Sequence, residues 1–135
     1  MVIVVDSSAW TQFLQPWGTA VHVTLRRLID ERADLAVTDI VVMEVLAGAS
    51  SERERAAVRS SLLALPVLPL RGLADYETAA ELYRACRRAG ETIRRLTDCL
   101  VAVPVIEAGA TLLHDDADFD VLARHTPLRI EPVAS

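Results

Sequence analysis

The chain has 135 residues, 52% of them hydrophobic, and a mean hydropathy of +0.29. That excludes a disordered chain and suits one domain, residues 1–135, with a sizeable core. A net charge of −5 argues against a protein that coats nucleic acid through bulk charge. All fourteen basic residues are nonetheless arginine, whose planar fork donates bidentately to phosphate. Base composition of the gene, with solvated helix faces, accounts for the missing lysine without invoking function. No apolar run reaches membrane-spanning length, and the N-terminus lacks a basic region and cleavage site. Cys86 and Cys99 have neither metal-binding nor redox spacing, so the expectation is reduced thiols in a cytoplasmic protein.

Taken in order, Val2-Ile3-Val4-Val5 predicts a strand buried on both faces, as in the middle of a parallel sheet. It stops at Asp6, and Ser7 and Ser8 are suited to capping the helix expected over 9–13. Gln15-Pro16-Trp17-Gly18 breaks that helix. Residues 21–31 form an amphipathic helix, 35–37 a strand, and Thr38 or Asp39 caps an apolar helix over 40–47 closed by Gly48. A helix over 51–65 leads to an extended piece, 66–70, placed near the sheet edge because its prolines cannot donate. A long amphipathic helix follows over 75–88, then one capped by Thr97-Asp98 and running to 107 or 108. Pro104 is expected to kink or shorten it. A strand over 111–114, a turn into a helix ending near Arg124, and a strand over 128–130 complete the chain. This alternation predicts a three-layer α/β/α domain with a central, mainly parallel sheet of four or five strands.

Four acidic positions stand out. Asp6 is either a helix cap or a functional carboxylate at the C-terminal edge of a central strand, where open α/β sheets bind ligands. Glu44 is the one ionisable group in Ile40-Val41-Val42-Met43-Glu44-Val45-Leu46-Ala47, a segment expected to be buried nearly all round. There it needs a metal or an arginine partner, unless it lies on a narrow exposed stripe. Asp98 opens another apolar helix, where Thr97 is able to cap alone, and Glu107 on that helix is expected to be solvated. His114-Asp115-Asp116-Ala117-Asp118-Phe119-Asp120 packs four carboxylates into six residues, some of them ordinary turn residues. Carboxylates gathered at one sheet edge repel, and a hard divalent cation such as Mg²⁺ or Mn²⁺ relieves the repulsion. The reaction class is then metal-assisted phosphodiester hydrolysis.

Val4-Val5-Asp6-Ser7-Ser8-Ala9, Glu44-Val45-Leu46-Ala47-Gly48, Thr97-Asp98-Cys99-Leu100-Val101-Ala102 and Leu113-His114-Asp115-Asp116-Ala117-Asp118-Phe119 together resemble the PIN-domain ribonucleases. Within them the resemblance is to the VapC-type toxins of bacterial toxin–antitoxin pairs. It implies a catalytic quartet of Asp6, Glu44, Asp98 and Asp116. Asp6 and Asp98 are the implied direct metal ligands; Asp116, Glu44 and Asp118 are further or water-mediated ones. It also implies Mg²⁺ dependence, an RNA substrate, a homodimer and a small VapB-type antitoxin that neutralises growth inhibition. Ser8 would support the cluster or cap the helix. Arg94 and Arg95 would grip RNA, or be solvated, or pair with Glu91. Trp10 and Trp17 stack on bases or fill a core or interface.

Three features depart from the family pattern: the overall acidity, which leaves RNA to be gripped by local arginines, and two residues. Asp115 stands where a basic or neutral residue is usual, and Pro104 interrupts a helix commonly rich in Ala and Ile. Two other functions keep the fold: a catalytically silent protein-binding module, against which the retained acids argue, and a DNA-directed nuclease. A phospho-accepting receiver domain would need a lysine, and the chain has none.

Overall fold

A computed structural model describes residues 1–14 and 18–133. Trp17, with the rest of the expected break at 15–17, lies outside the described residues. The elements are β1 (Ile3–Val5), α1 (Ser7–Leu14), α2 (Ala20–Asp30), β2 (Leu35–Thr38), α3 (Asp39–Ala47), α4 (Glu52–Leu63), β3 (Val67–Leu68), α5 (Leu73–Arg88), α6 (Leu96–Glu107), β4 (Thr111–Leu113), α7 (Ala117–His125) and β5 (Arg129–Ile130). The five strands lie in the order β3-β2-β1-β4-β5, every pairing parallel. The expected sheet is thus found, with five strands and wholly parallel.

β1 is the central strand, and every residue of β1, β2 and β4 is buried, so helices cover both faces of the sheet. Val4, Val5, Val37, Leu112 and Leu113 lose all solvent contact, packed with Leu25, Leu62, Val101, Phe119 and Leu122 from the surrounding helices. Trp10 is buried in this core rather than presented for stacking. Cys86 and Cys99 are buried free thiols. Among the described residues no helix is long and apolar enough to cross a membrane.

Several local expectations are corrected. α1 begins at Ser7 because Asp6 itself is the cap: its Oδ2 accepts the Ser8 N–H at 3.0 Å, and its carbonyl accepts from Ala9 and Trp10. Ser7 and Ser8 therefore do not take over capping. α6 starts at Leu96 with Arg95 at the cap position, so neither Thr97 nor Asp98 caps it. It also runs through Pro104 to Glu107. Pro104 is buried and forfeits one backbone bond, to the Leu100 carbonyl, yet the helix continues beyond it and Ala108 N–H reaches the Pro104 carbonyl. α3 is not buried all round. Val41 and Val45 face the core, but Met43 is 55% exposed. Gly48 ends α3 at φ −83°, a backbone open to any residue. Glu107 is exposed, as expected, and there pairs with Arg71.

Candidate metal centre

The strand order changes direction between β1 and β4, whose C-terminal ends lie side by side: β4 pairs with β1 residue for residue, and Asp6 N–H donates to the Leu113 carbonyl at 3.0 Å. Chains leaving neighbouring strands toward opposite faces open a crevice there. Asp6 lies at the end of β1, and Asp116 caps α7 just past β4, its carboxylate accepting the Asp118 N–H at 3.0 Å. Asp98 stands in the first turn of α6. At α1 and α7 a first-turn N–H is met by the acid before the helix, Ser8 N–H by Asp6 and Asp118 N–H by Asp116.

Asp6 and Asp98 are almost fully buried, at 1% exposure each. Among the described residues, Asp6 Oδ1 and Asp98 Oδ2 are buried without a hydrogen-bond partner. Such orphaned carboxylate oxygens are costly unless something positive meets them. Each carboxylate's other oxygen is engaged. Asp6 Oδ2 accepts the Ser8 hydroxyl at 2.6 Å, and that hydroxyl accepts Asp115 N–H at 2.9 Å, tying the ends of β1 and β4 together. Asp98 Oδ1 lies 3.5 Å from the Arg95 guanidinium.

The electrostatics match this burial. Desolvation pushes the Asp6 carboxyl above its usual range, against the lowering effect of the Ser8 hydroxyl, the Ser8 and Ser7 N–H groups and His114. Asp98 is pushed up to about 8, chiefly by burial and then by Asp116, Asp118 and Asp6, with Arg95 opposing. Half-buried Glu44 is also raised, by desolvation and the Asp6 charge, although Ser7 Oγ donates to its Oε1 at 3.2 Å. Asp118 behaves differently. Burial raises it, but the backbone N–H groups of Arg94 and Arg95, with Asp98 and the Arg94 side chain, outweigh burial and lower it.

Ligand atoms of Asp98, Asp116 and Asp118 lie within 4.8 Å of one another, near enough to share one cation. Asp6 and Glu44 are in electrostatic reach of that trio, so the structure brings the four singled-out acids and Asp118 to one place. An all-oxygen donor set with orphaned carboxylate oxygens fits a hard divalent ion. Asp115 is exposed and meets the cluster through its backbone.

Arg94 and Arg95 are not paired with Glu91, which binds Arg124 and His125 instead. Both guanidiniums lie on the cluster, Arg94 against Asp116 and Asp118, Arg95 against Asp116 and Asp98. Sequence reasoning missed three residues here. Ser7 orients Glu44, and buried His114 accepts Asp116 N–H on Nδ1 at 3.0 Å, leaving Nε2 to face Asp120 at 3.3 Å. Arg87 lies over the Tyr83 ring, 5.6 Å from its centroid. A surface groove lined by Arg84, Arg87, Arg94, Tyr83 and Leu96 adjoins the acids. The arginines at 84, 87 and 88 gave a helical-spacing signal that could have pointed to it.

Residues 3–125 match the family model of the PIN domain. Over 129 residues the chain is 40% identical to Ribonuclease VapC11 of Mycobacterium tuberculosis and to VapC ribonuclease Mb1587 of Mycobacterium bovis, covering 95% of this chain and 96% of each relative. Its fold is similar to that of VapBC2 from Rickettsia felis bound to a DNA fragment from their promoter, at a TM-score of 0.73 and 19% identity over 97% of this chain and 98% of that one. It is similar too to VapC20 of Mycobacterium tuberculosis, a sarcin–ricin loop cleaving toxin, at 0.67 and 19% over 94% and 98%. At such identities those two structures speak for the fold alone. The family model spans most of the sequence and the 40% identity runs nearly end to end, so the chain belongs to the PIN-domain family, among its VapC ribonucleases.

Proposed function

We propose that the protein is a divalent-metal-dependent endoribonuclease, a single PIN domain acting in the cytoplasm as the toxin of a toxin–antitoxin pair. The observation that carries the metal chemistry is the pair of buried, partnerless oxygens, Asp6 Oδ1 and Asp98 Oδ2, at the switch point of the sheet. Asp6 and Asp98 would hold the cation, Mg²⁺ in the cell with Mn²⁺ able to serve. When bound, it polarises the phosphodiester and makes a water more acidic.

The chain's own groups supply the rest. Glu44, raised in pKa and held by Ser7 through Oε1, is suited to take a proton from the attacking water. Asp116, whose carboxylate lies close to that of Asp98, would be a further or water-mediated ligand. Asp118 holds the start of α6 through the backbone of Arg94 and Arg95, which makes it a positioning residue more than a ligand. Ser8 keeps Asp6 still. The groove bearing Arg84, Arg87 and Tyr83 offers cationic and aromatic contacts along which single-stranded RNA would lie.

The partners follow from the relatives and from uncovered apolar surface. Solved neighbours include VapBC2 from Rickettsia felis and FitAB bound to a DNA fragment. Here Met43, Leu73, Tyr76 and Leu96 are 50–75% exposed, surface suited to a second copy and a VapB-type antitoxin. The test is cleavage of total cellular RNA by the purified chain in Mg²⁺, with EDTA and single-stranded DNA as controls. Cutting of RNA that stops with EDTA and is lost in Asp6→Asn and Asp98→Asn is expected. Activity surviving both substitutions overturns the mechanism. Growth arrest on expression, relieved by the neighbouring small gene, tests the toxin role.

A further inference from the structure

Both carboxylate oxygens of Asp116 have partners, whereas Asp6 and Asp98 each leave one oxygen without a partner among the described residues. Asp116 Oδ1 accepts from Asp118 N–H at 3.0 Å and from the Arg94 guanidinium at 3.2 Å, and its Oδ2 accepts from Arg95 at 2.7 Å. The same Arg95 nitrogen stands 3.5 Å from Asp98 Oδ1. One cationic nitrogen thus sits between two of the three carboxylates close enough to share a metal ion. We propose that Arg95, assisted by Arg94, is a tethered counter-ion that holds the carboxylate cluster in the metal-free protein and competes with the divalent cation for Asp116 and Asp98. The proposal rests on the metal-site reading above.

Charge makes the competition necessary. Asp6, Glu44, Asp98, Asp116 and Asp118 bring five acidic groups together, and the repulsion among those that are ionised calls for a positive group whether or not a metal is present. Arg95 and Arg94 supply it, their protonation strengthened by Asp98 in the first case and Asp118 in the second. The geometry also lets them leave. Their side chains are 52% and 72% exposed, so each reaches in from solvent and has water to return to. Each pair joins an exposed guanidinium to a buried carboxylate, and a divalent ion, with twice the charge and direct coordination, outcompetes it. Meanwhile the backbone stays fixed, because Asp118 accepts both N–H groups, at 3.1 to 3.3 Å. Only the side chains need to swing.

The experiment is calorimetric titration of the full chain with Mn²⁺, without RNA and at low ionic strength, for the wild type, Arg95→Gln, Arg95→Lys and Asp98→Asn. Removing the resident cation leaves a more negative cluster, so Arg95→Gln is expected to bind Mn²⁺ about tenfold more tightly. Arg95→Lys, which keeps the charge but loses the fork, falls between it and the wild type. Without metal, Arg95→Gln melts lower than the wild type, and saturating Mn²⁺ closes that gap. Equal or weaker Mn²⁺ binding by both Arg95 variants overturns the proposal, because it makes Arg95 a neutral bystander or a support for the ligands. Absence of binding in the wild type and all variants overturns the metal-site reading itself, and the counter-ion proposal with it. Loss of binding confined to Asp98→Asn leaves that reading standing, so the two failures are distinct.

Discussion

Asp98→Asn should make the metal-free protein more stable while abolishing its chemistry. In the fold the Asp98 carboxyl titrates near 8, against 3.8 for a free side chain. Between those values the folded protein holds a proton that the unfolded chain has released, so unfolding is favoured as pH rises. The penalty is absent below about pH 4, grows up to pH 8 and is constant above it. At pH 7 it reaches on the order of 4 kcal/mol, at about 1.4 kcal/mol per pH unit. Asparagine has nearly the same shape, cannot ionise and keeps an oxygen for Arg95, but its amide still has to be buried. The expected gain is therefore about 2 kcal/mol at pH 7 to 8, or roughly 7 °C in melting temperature for a domain of this size. The assay is thermal or urea unfolding of both proteins in EDTA at pH 4.5 and pH 8. Saturating Mg²⁺ should reverse the order, since a ligand at a hundred times its Kd adds about 2.7 kcal/mol to the wild type alone. A variant less stable than the wild type at pH 8 in EDTA, or a difference independent of pH, would refute the reasoning.

Two further predictions bear on the same site. Ser8→Ala removes the donor to Asp6 Oδ2 and the acceptor of Asp115 N–H, so it should cost about 1 to 2 kcal/mol in urea unfolding and weaken metal binding. Metal binding should also release protons. Because the cation binds ionised Asp98, affinity rises with pH up to about 8 and levels off, and calorimetry in two buffers at pH 7 should detect about one proton released.

Much of the fold was legible because it rests on local signals. The β-branched run before Asp6 and the alternation of short strands with capped helices specify a parallel sheet wrapped on both faces, and the prolines beside Val67-Leu68 placed that strand at the edge, where it lies. Helix ends were less legible where the cap comes from elsewhere. The start of α6 is held by Asp118, twenty-odd residues away, so nothing near Thr97 signals that the helix begins at Leu96. The exposed side of α3 was open only as an alternative, since hydrophobicity alone does not say whether a surface is covered.

For the site, the sequence by itself singled out the acids that folding gathers, because each interrupts an apolar segment or follows a strand at the sheet edge where ligands bind. Only the tertiary structure decided what surrounds each one. It left one buried oxygen of Asp6 and one of Asp98 without a donor, and turned Asp118 into a backbone clamp. It also set Arg94 and Arg95 on the carboxylates and gave Glu91 to Arg124, where the sequence had left their partners open. The reason is physical: a side chain's charge is written in the sequence, but its partners are set by distances between strands and helices that the chain brings together only on folding.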